Sequence, residues 1–346
     1  PVGRRAPKCH PRDTGATTGR LIPGPRPRVM RKLIRLLLAL LLLSAFGLGL
    51  AYWYAPERLL QGAYDLAAWR AGLAKRWSYY EGGSGEPVLL LHGLGGSKEN
   101  WLLLARHLTR EHRVLIPDLP GWGESSRMPN EDYGLRAQAR RVRAFVGALG
   151  LPNTHVVGHS MGGAIAGTYA AHYGGRVATL TLLAPGGVPF PPNDFAREVL
   201  AGRNPFDYGT REQLRAFGPY LFQQPPWVPP RVLDVLVDQN LGRRAFQGAL
   251  FARLAQGEDA DGLLSRLPMI RAPTLVIWCN GDRVIDKAAM DIVLEAMPQA
   301  RGVTLFGCSH MPMLEVPREL AQPISEFVRA PTPMRPESAA APEPAP

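Results

Sequence analysis

The most extended feature of the hydrophobic pattern is a run without charge from Leu36 to Tyr54, reading LLLALLLLSAFGLGLAYWY. Nineteen helical residues at about 1.5 Å each cover most of a hydrocarbon core of about 30 Å, so a transmembrane helix is expected. Arg28, Arg31, Lys32 and Arg35 precede the run, and Tyr52, Trp53 and Tyr54 close it in the manner of an interfacial belt. The basic flank predicts a single-pass anchor in a bacterial inner membrane, with the downstream body on the periplasmic side. A cleaved signal peptide is the competing reading, but the run lacks a convincing small-residue cleavage site and ends in aromatics. Ala45 and Gly49 form a small-xxx-small pair through which two anchors could associate as a homodimer. With its basic flank, the anchor spans 30–56.

From Glu57 to Lys75 the pattern changes period. Leu59, Ala63, Leu66, Trp69 and Leu73 recur every three or four positions among charged neighbours, which predicts an amphipathic juxtamembrane helix within 57–76, lying on lipid or packed on the domain. Short apolar strands then alternate with helical stretches. Strands are expected at Trp77–Glu81, Pro87–Leu91, Arg113–Pro117, Asn153–Gly158, Val177–Leu183, Thr274–Cys279 and Val303–Phe306. Helices are expected at Trp101–Leu108, Tyr133–Leu149 and Ala164–Tyr173. This alternation predicts an α/β fold, a mostly parallel sheet with helices on both faces, in two core parts, 77–187 and 272–329.

Between them, residues 188–271 break the alternation. Phe190, Phe195, Phe206, Tyr208, Phe217, Tyr220, Phe222 and Trp227 stand among prolines, with a helical patch at Arg231–Leu241. So long an insertion predicts a helical cap over the strand ends, its aromatics mostly holding it together. At the termini, 1–29 and 330–346 lack any core-forming pattern and are expected to be disordered. Because Met30 opens the basic-apolar pattern, 1–29 also reads as a non-native extension.

The formal charge of +11 would suggest nucleic acid, but ten Lys and Arg against one Asp between Pro1 and Arg35 supply +9 of it. The folded part is close to neutral, which excludes a nucleic-acid surface there. Three cysteines, Cys9, Cys279 and Cys308, fit neither a disulfide framework nor a paired zinc site. Unpaired thiols are expected, although Cys279 and Cys308 lie on adjacent segments that an oxidising compartment could bridge. No metal or organic cofactor is indicated.

The chemistry gathers around Gly158-His159-Ser160-Met161-Gly162, a GxSxG pattern between a β-branched strand and a helix of small residues. Glycines at Gly158 and Gly162 would permit a sharp strand-to-helix turn that pushes the Ser160 hydroxyl out of the sheet. A serine nucleophile needs a base, and the base needs an acid group to fix its tautomer. In the chain order of this motif class, Asp282 and His310 follow the two last strands and would supply them, with Asp286 as the less favoured acid. Backbone N–H groups of Leu94 and Met161 would stabilise a developing oxyanion, with His92 part of that turn. Asp118 is expected to be structural.

The HGLGGS loop, PDLPGWGES, GHSMGG, IWCNGD and GCSHMPMLEVP together resemble the α/β-hydrolase family from about Trp77 to Arg329. Cys279 stands where glycine is common in that family, and Ser309 where glycine often precedes the histidine. Anchor, juxtamembrane helix and cap are similar to membrane-anchored bacterial lipases and phospholipase A1 enzymes, which implies hydrolysis of acyl esters of lipids. The residues alone support serine acyl transfer to water. Other readings are a small-ester esterase, a carbon-carbon bond hydrolase, a cofactor-free haloperoxidase, or an inactive membrane-tethered scaffold.

Overall fold

The computed structural model describes residues 27–76, 78–128, 130–151, 153–256 and 262–331. The chain divides into two units, residues 1–54 and 55–346. The first carries α1 (Pro27–Tyr54), in which Ile34–Tyr54, 21 residues, is long and apolar enough to cross a membrane. Helix α1 starts three residues earlier than the expected leader allows: Pro27 opens it, and proline's fixed φ and missing N–H suit a first helical turn. The rest of that leader, and the expected tail from residue 332, lie outside the described residues.

The second unit begins with α2 (Pro56–Arg70). The amphipathic helix expected to reach Lys75 is cut at Gly72, whose φ of +67° only glycine adopts freely. Leu73–Lys75 instead forms β1, antiparallel to β2 (Tyr79–Gly82). The packed face of α2 also differs from the expected stripe. Tyr64, Ala67 and Ala68, followed by Ala71, meet the core, while Leu66 and Trp69 are exposed. The small residues permit close approach, and Thr109 Oγ1 donates to the carbonyl of Ala71 at 2.6 Å.

Six more strands complete the sheet: β3 (Pro87–Leu91), β4 (Arg113–Pro117), β5 (Thr154–His159), β6 (Val177–Leu183), β7 (Thr274–Cys279) and β8 (Arg301–Leu305). Their order is β1-β2-β4-β3-β5-β6-β7-β8; β4 to β8 run parallel, and β1 and β2 add the antiparallel edge. Period-2 alternation buries both faces. Leu89, Leu91 and Val156 enter one core, and Val88, Leu90 and Val157 enter the other.

Helices α3 (Leu102–Leu108), α4 (Leu135–Ala148), α5 (Met161–Tyr173), α6 (Asp194–Leu200), α7 (Arg211–Leu221), α8 (Pro230–Leu241), α9 (Arg244–Gln256), α10 (Ala288–Ala296), α11 (Pro312–Glu315) and α12 (Pro317–Arg329) follow in chain order. Four of them, α6 to α9, lie between β6 and β7, where the cap is expected. Part of the aromatic set packs together, Phe206 lying with its ring centroid 5.8 Å from Phe195 and 5.1 Å from Phe217, whereas Trp227 is exposed.

Candidate active site

Strand β3 neighbours both β4 and β5, so the chain leaves it toward opposite sides and opens a crevice at the strand ends. Ser160 stands at the tip of β5 with φ of +53°, a left-handed conformation costly for any residue with a Cβ. The turn holds because nothing else fits. A Cβ at Gly158 would lie 2.2 Å from the carbonyl oxygen of Gly162, and one at Gly162 would lie 2.3 Å from that of Leu91. The Ser160 carbonyl accepts the N–H groups of Gly163, Ala164 and Gly186 at 2.9 to 3.1 Å.

Asp282 and His310 meet across the adjoining loops. His310 Nδ1 donates to Asp282 Oδ2 at 2.9 Å, both side chains being buried. The other carboxylate oxygen accepts the N–H groups of Val284 and Ile285 at 2.9 and 3.0 Å, so the acid is pinned on both sides. Asp286, the rival, accepts the N–H of Ala288 and caps the approach to α10. With Nδ1 carrying the proton, Nε2 of His310 is left as the basic nitrogen.

Between these loops lies Cys279–Cys308, a disulfide with a Cα–Cα separation of 5.5 Å. The expectation of unpaired thiols is corrected here: β7 and β8 are hydrogen-bonded neighbours, and the bridge closes their ends just before Asp282 and His310. Ser309 has its own reason too. Its hydroxyl donates to the carbonyl of Tyr220 in the cap at 3.1 Å, and its N–H donates to Glu315 Oε2 at 2.7 Å.

His159 and Lys98 escaped sequence reasoning, whereas His92 was expected in the turn before Leu94. His159 donates from Nε2 to the His310 carbonyl at 2.7 Å. Burial, and secondarily His310, holds its pKa well below the usual imidazole value, so the ring is neutral. His92 is likewise depressed by burial. It accepts the N–H of Leu119 on Nε2 at 3.0 Å and donates from Nδ1 to the Gly93 carbonyl at 2.9 Å, which shapes the Gly93-Leu94 turn. Lys98 is 1% exposed. Its ammonium lies 2.7 Å from Asp118 Oδ2 and 3.0 Å from Glu124 Oε2. Burial opposes its charge, yet these carboxylates keep its pKa above the ordinary lysine value. Asp118 is therefore structural, tying the β4 loop to the turn that follows Leu94.

Two chambers share Ser160, Leu94 and Phe206. The larger, about 380 Å³, is lined by apolar residues that include Met161, Val188, Phe195, Val199 and Ile285. The smaller, about 120 Å³, contains His310 with Asn100, Tyr208, Asn240 and Gln247. Phe206 is the cap's contribution to both, so it partitions the space above the serine. Such a site can accept an acyl chain on one side of Ser160 and a more polar group on the other. Among the described residues there is no cluster of His, Cys, Asp and Glu able to hold a metal ion.

The sequence profile of the α/β hydrolase family matches residues 88–322. The chain belongs to the α/β hydrolase family. Lipase 3 of Moraxella sp. (strain TA144) is 32% identical over 247 residues, covering 70% of this chain and 78% of that protein. A monoacylglycerol lipase of Xenopus laevis aligns over 86% of this chain and 90% of its own length at 27% identity. Among solved structures, a bacterial membrane phospholipase A superposes with a TM-score of 0.76 at 34% identity, over 86% of this chain and 99% of that one. With such relatives across its α/β body, this hydrolase is an enzyme of the carboxylic ester class.

Proposed function

We propose that this α/β hydrolase cleaves acyl esters of lipids, with Ser160 as nucleophile, His310 as general base and acid, and Asp282 as the group that orients and stabilises His310. The observation that carries the reading is the buried Asp282–His310 bond beside a chamber that both His310 and Ser160 line, which shares Ser160, Leu94 and Phe206 with an apolar cavity of about 380 Å³.

In this mechanism Ser160 Oγ attacks the ester carbonyl carbon as its proton passes to His310 Nε2. The carbonyl oxygen becomes an oxyanion facing the backbone N–H groups of Leu94 and Met161. Collapse breaks the bond to the alcohol oxygen, which takes the proton from His310 and leaves an acyl-enzyme. Water, deprotonated by the same nitrogen, releases the fatty acid and regenerates Ser160. No cofactor enters these steps.

The apolar helix α1 supports a single-pass anchor in a bacterial inner membrane, and the basic residues before it favour a periplasmic catalytic body. The Cys279–Cys308 bridge agrees with an oxidising compartment. Relatives that are a lipase and a membrane phospholipase A favour lipid esters over small ones.

The test is turnover of p-nitrophenyl esters of increasing chain length by the purified full-length protein and its Ser160→Ala variant, with fluorophosphonate labelling in parallel. Loss of turnover on the order of 10⁶-fold is expected, because triad residues act as a unit, together with labelling that depends on Ser160. Undiminished hydrolysis in the variant, or an unlabelled serine in folded protein, would remove the assignment.

A further inference from the structure

Helix α7 ends against the two loops that carry the proposed acid and base. Pro219 lies in its last turn, and the Phe222 N–H closes the helix on the Gly218 carbonyl at 2.9 Å. One residue further on, a continuing α-helix would carry the Gln223 N–H to the carbonyl of Pro219. It goes elsewhere: the Gln223 N–H donates to Glu315 Oε1 at 2.7 Å. The helix-end carbonyls are satisfied from the core instead. Arg283 Nη1 donates to that of Pro219 at 3.2 Å, and Ser309 Oγ to that of Tyr220 at 3.1 Å.

These core partners adjoin the proposed triad. Arg283 follows Asp282, and Ser309 precedes His310. Glu315 closes α11 and holds both sides at once, because its other oxygen, Oε2, accepts the Ser309 N–H at 2.7 Å. One carboxylate therefore joins the main chain of the cap to the main chain beside the base, through bonds that a charged acceptor makes short and strong. A second cap element reaches the acid loop: Asn193, which caps α6, donates from Nδ2 to the Arg283 carbonyl at 3.1 Å. Gly281 fits the same junction, since a Cβ there would lie 2.9 Å from the Cys308 carbonyl oxygen and 3.7 Å from Gln223 Oε1.

Asp282 orients the His310 ring, but the distance from that ring to Ser160 is set where the main chain of its loop is held. A shift of about 1 Å is enough to cost on the order of 10² in rate. Resting on the reading of Ser160, Asp282 and His310 above, we propose that Glu315 is a positioning residue through which the seated cap holds the base within reach of Ser160. Losing the contact between Glu315 and the cap then slows the chemical step even when the substrate chambers are intact. Helix α7 and Gln223 contribute only main-chain groups to this latch, so a cap with other side chains can keep it.

The experiment measures kcat and KM for a p-nitrophenyl ester, the rate of fluorophosphonate labelling and the melting midpoint, on full-length wild-type protein and on Glu315→Ala, Glu315→Gln and Gln223→Pro. Gln223→Pro deletes the donated N–H from the cap side, and the extended backbone of Phe222 accepts a following proline. Well below the melting midpoint, kcat in Glu315→Ala should fall on the order of 10²-fold with KM little changed. Gln223→Pro should lose about tenfold, the effect of one such bond. Glu315→Gln, which keeps one acceptor, should lie between Glu315→Ala and wild type. Labelling should slow in parallel, because it needs the base and no bound ester. Unchanged kcat and labelling with only a lower melting midpoint would make the bonds merely structural and overturn the proposal. The two Glu315 variants decide the matter even if Gln223→Pro fails to fold. A wild-type protein that neither hydrolyses the ester nor labels would instead remove the triad reading on which the latch rests.

Discussion

The imidazole of His159 donates from Nε2 to the main-chain carbonyl of His310 at 2.7 Å, so the residue before the serine holds the loop that bears the histidine. The two rings lie 4.6 Å apart, and His159 also meets the edge of Trp101. Placement of the proposed base thus depends on a side chain outside the proposed triad. Replacing His159 by Phe should lower kcat on the order of 10²-fold with little change in KM, the cost of a misplacement of about 1 Å. His159→Gln keeps a donor and should restore much of the loss. Equal activity in the Phe variant and wild type would contradict this role.

Protonation of the same ring affects stability. Burial depresses the pKa values of His159 and His92 in the folded chain, whereas the unfolded chain binds those protons below about pH 6.5. The unfolded state then carries more protons, so stability is complete above that pH and declines as pH falls through it. Thermal midpoints measured from pH 8 to pH 5 should drop toward acid, and less steeply in His159→Gln. A flat profile would exclude the two histidines as its source.

Cys279 and Cys308 are 29 residues apart in sequence. Closing a loop of that size stabilises a fold by about 3 to 4 kcal/mol in the chain-entropy account, which is model-dependent. Dithiothreitol, or Cys279→Ser with Cys308→Ser, should lower the melting midpoint by several degrees. Identical melts with and without reductant would mean that the bridge adds nothing to stability.

The buried Lys98–Asp118 contact at 2.7 Å predicts an asymmetric mutational response. Lys98→Met leaves the Asp118 carboxylate without its counter-charge and should cost about 3 to 5 kcal/mol. Adding Asp118→Asn removes the orphaned charge and keeps one acceptor for the N–H groups of Lys98 and Glu124, which Asp118 accepts on separate oxygens. The double variant should be more stable than the single one by denaturant titration, and a further loss would argue against charge burial as the cause.

The sheet was readable because buried parallel strands write themselves as short apolar runs, and Arg113–Pro117, Val177–Leu183 and Thr274–Cys279 match the observed strands to the residue. The residues proposed as the triad were readable because each follows such a strand. Errors gathered where tertiary contact decides. Leu73–Lys75 continues the helical period of its neighbours, and only pairing with β2 makes it a strand. His159 and Lys98 bear no local mark: one binds a carbonyl 151 positions away, and the other acquires meaning through burial. The disulfide needed the register of β7 and β8, which no spacing of cysteines encodes.

Phe206 stands between the two chambers, and a Cβ built on Gly95 would meet its ring at 3.7 Å. Each chamber is therefore walled by two stretches of the polypeptide, the inserted helices through Phe206 and the core through Leu94 and Ser160. Transplanting the segment between β6 and β7 from a related hydrolase should exchange one substrate preference for another, while the reaction at the strand ends stays as it was.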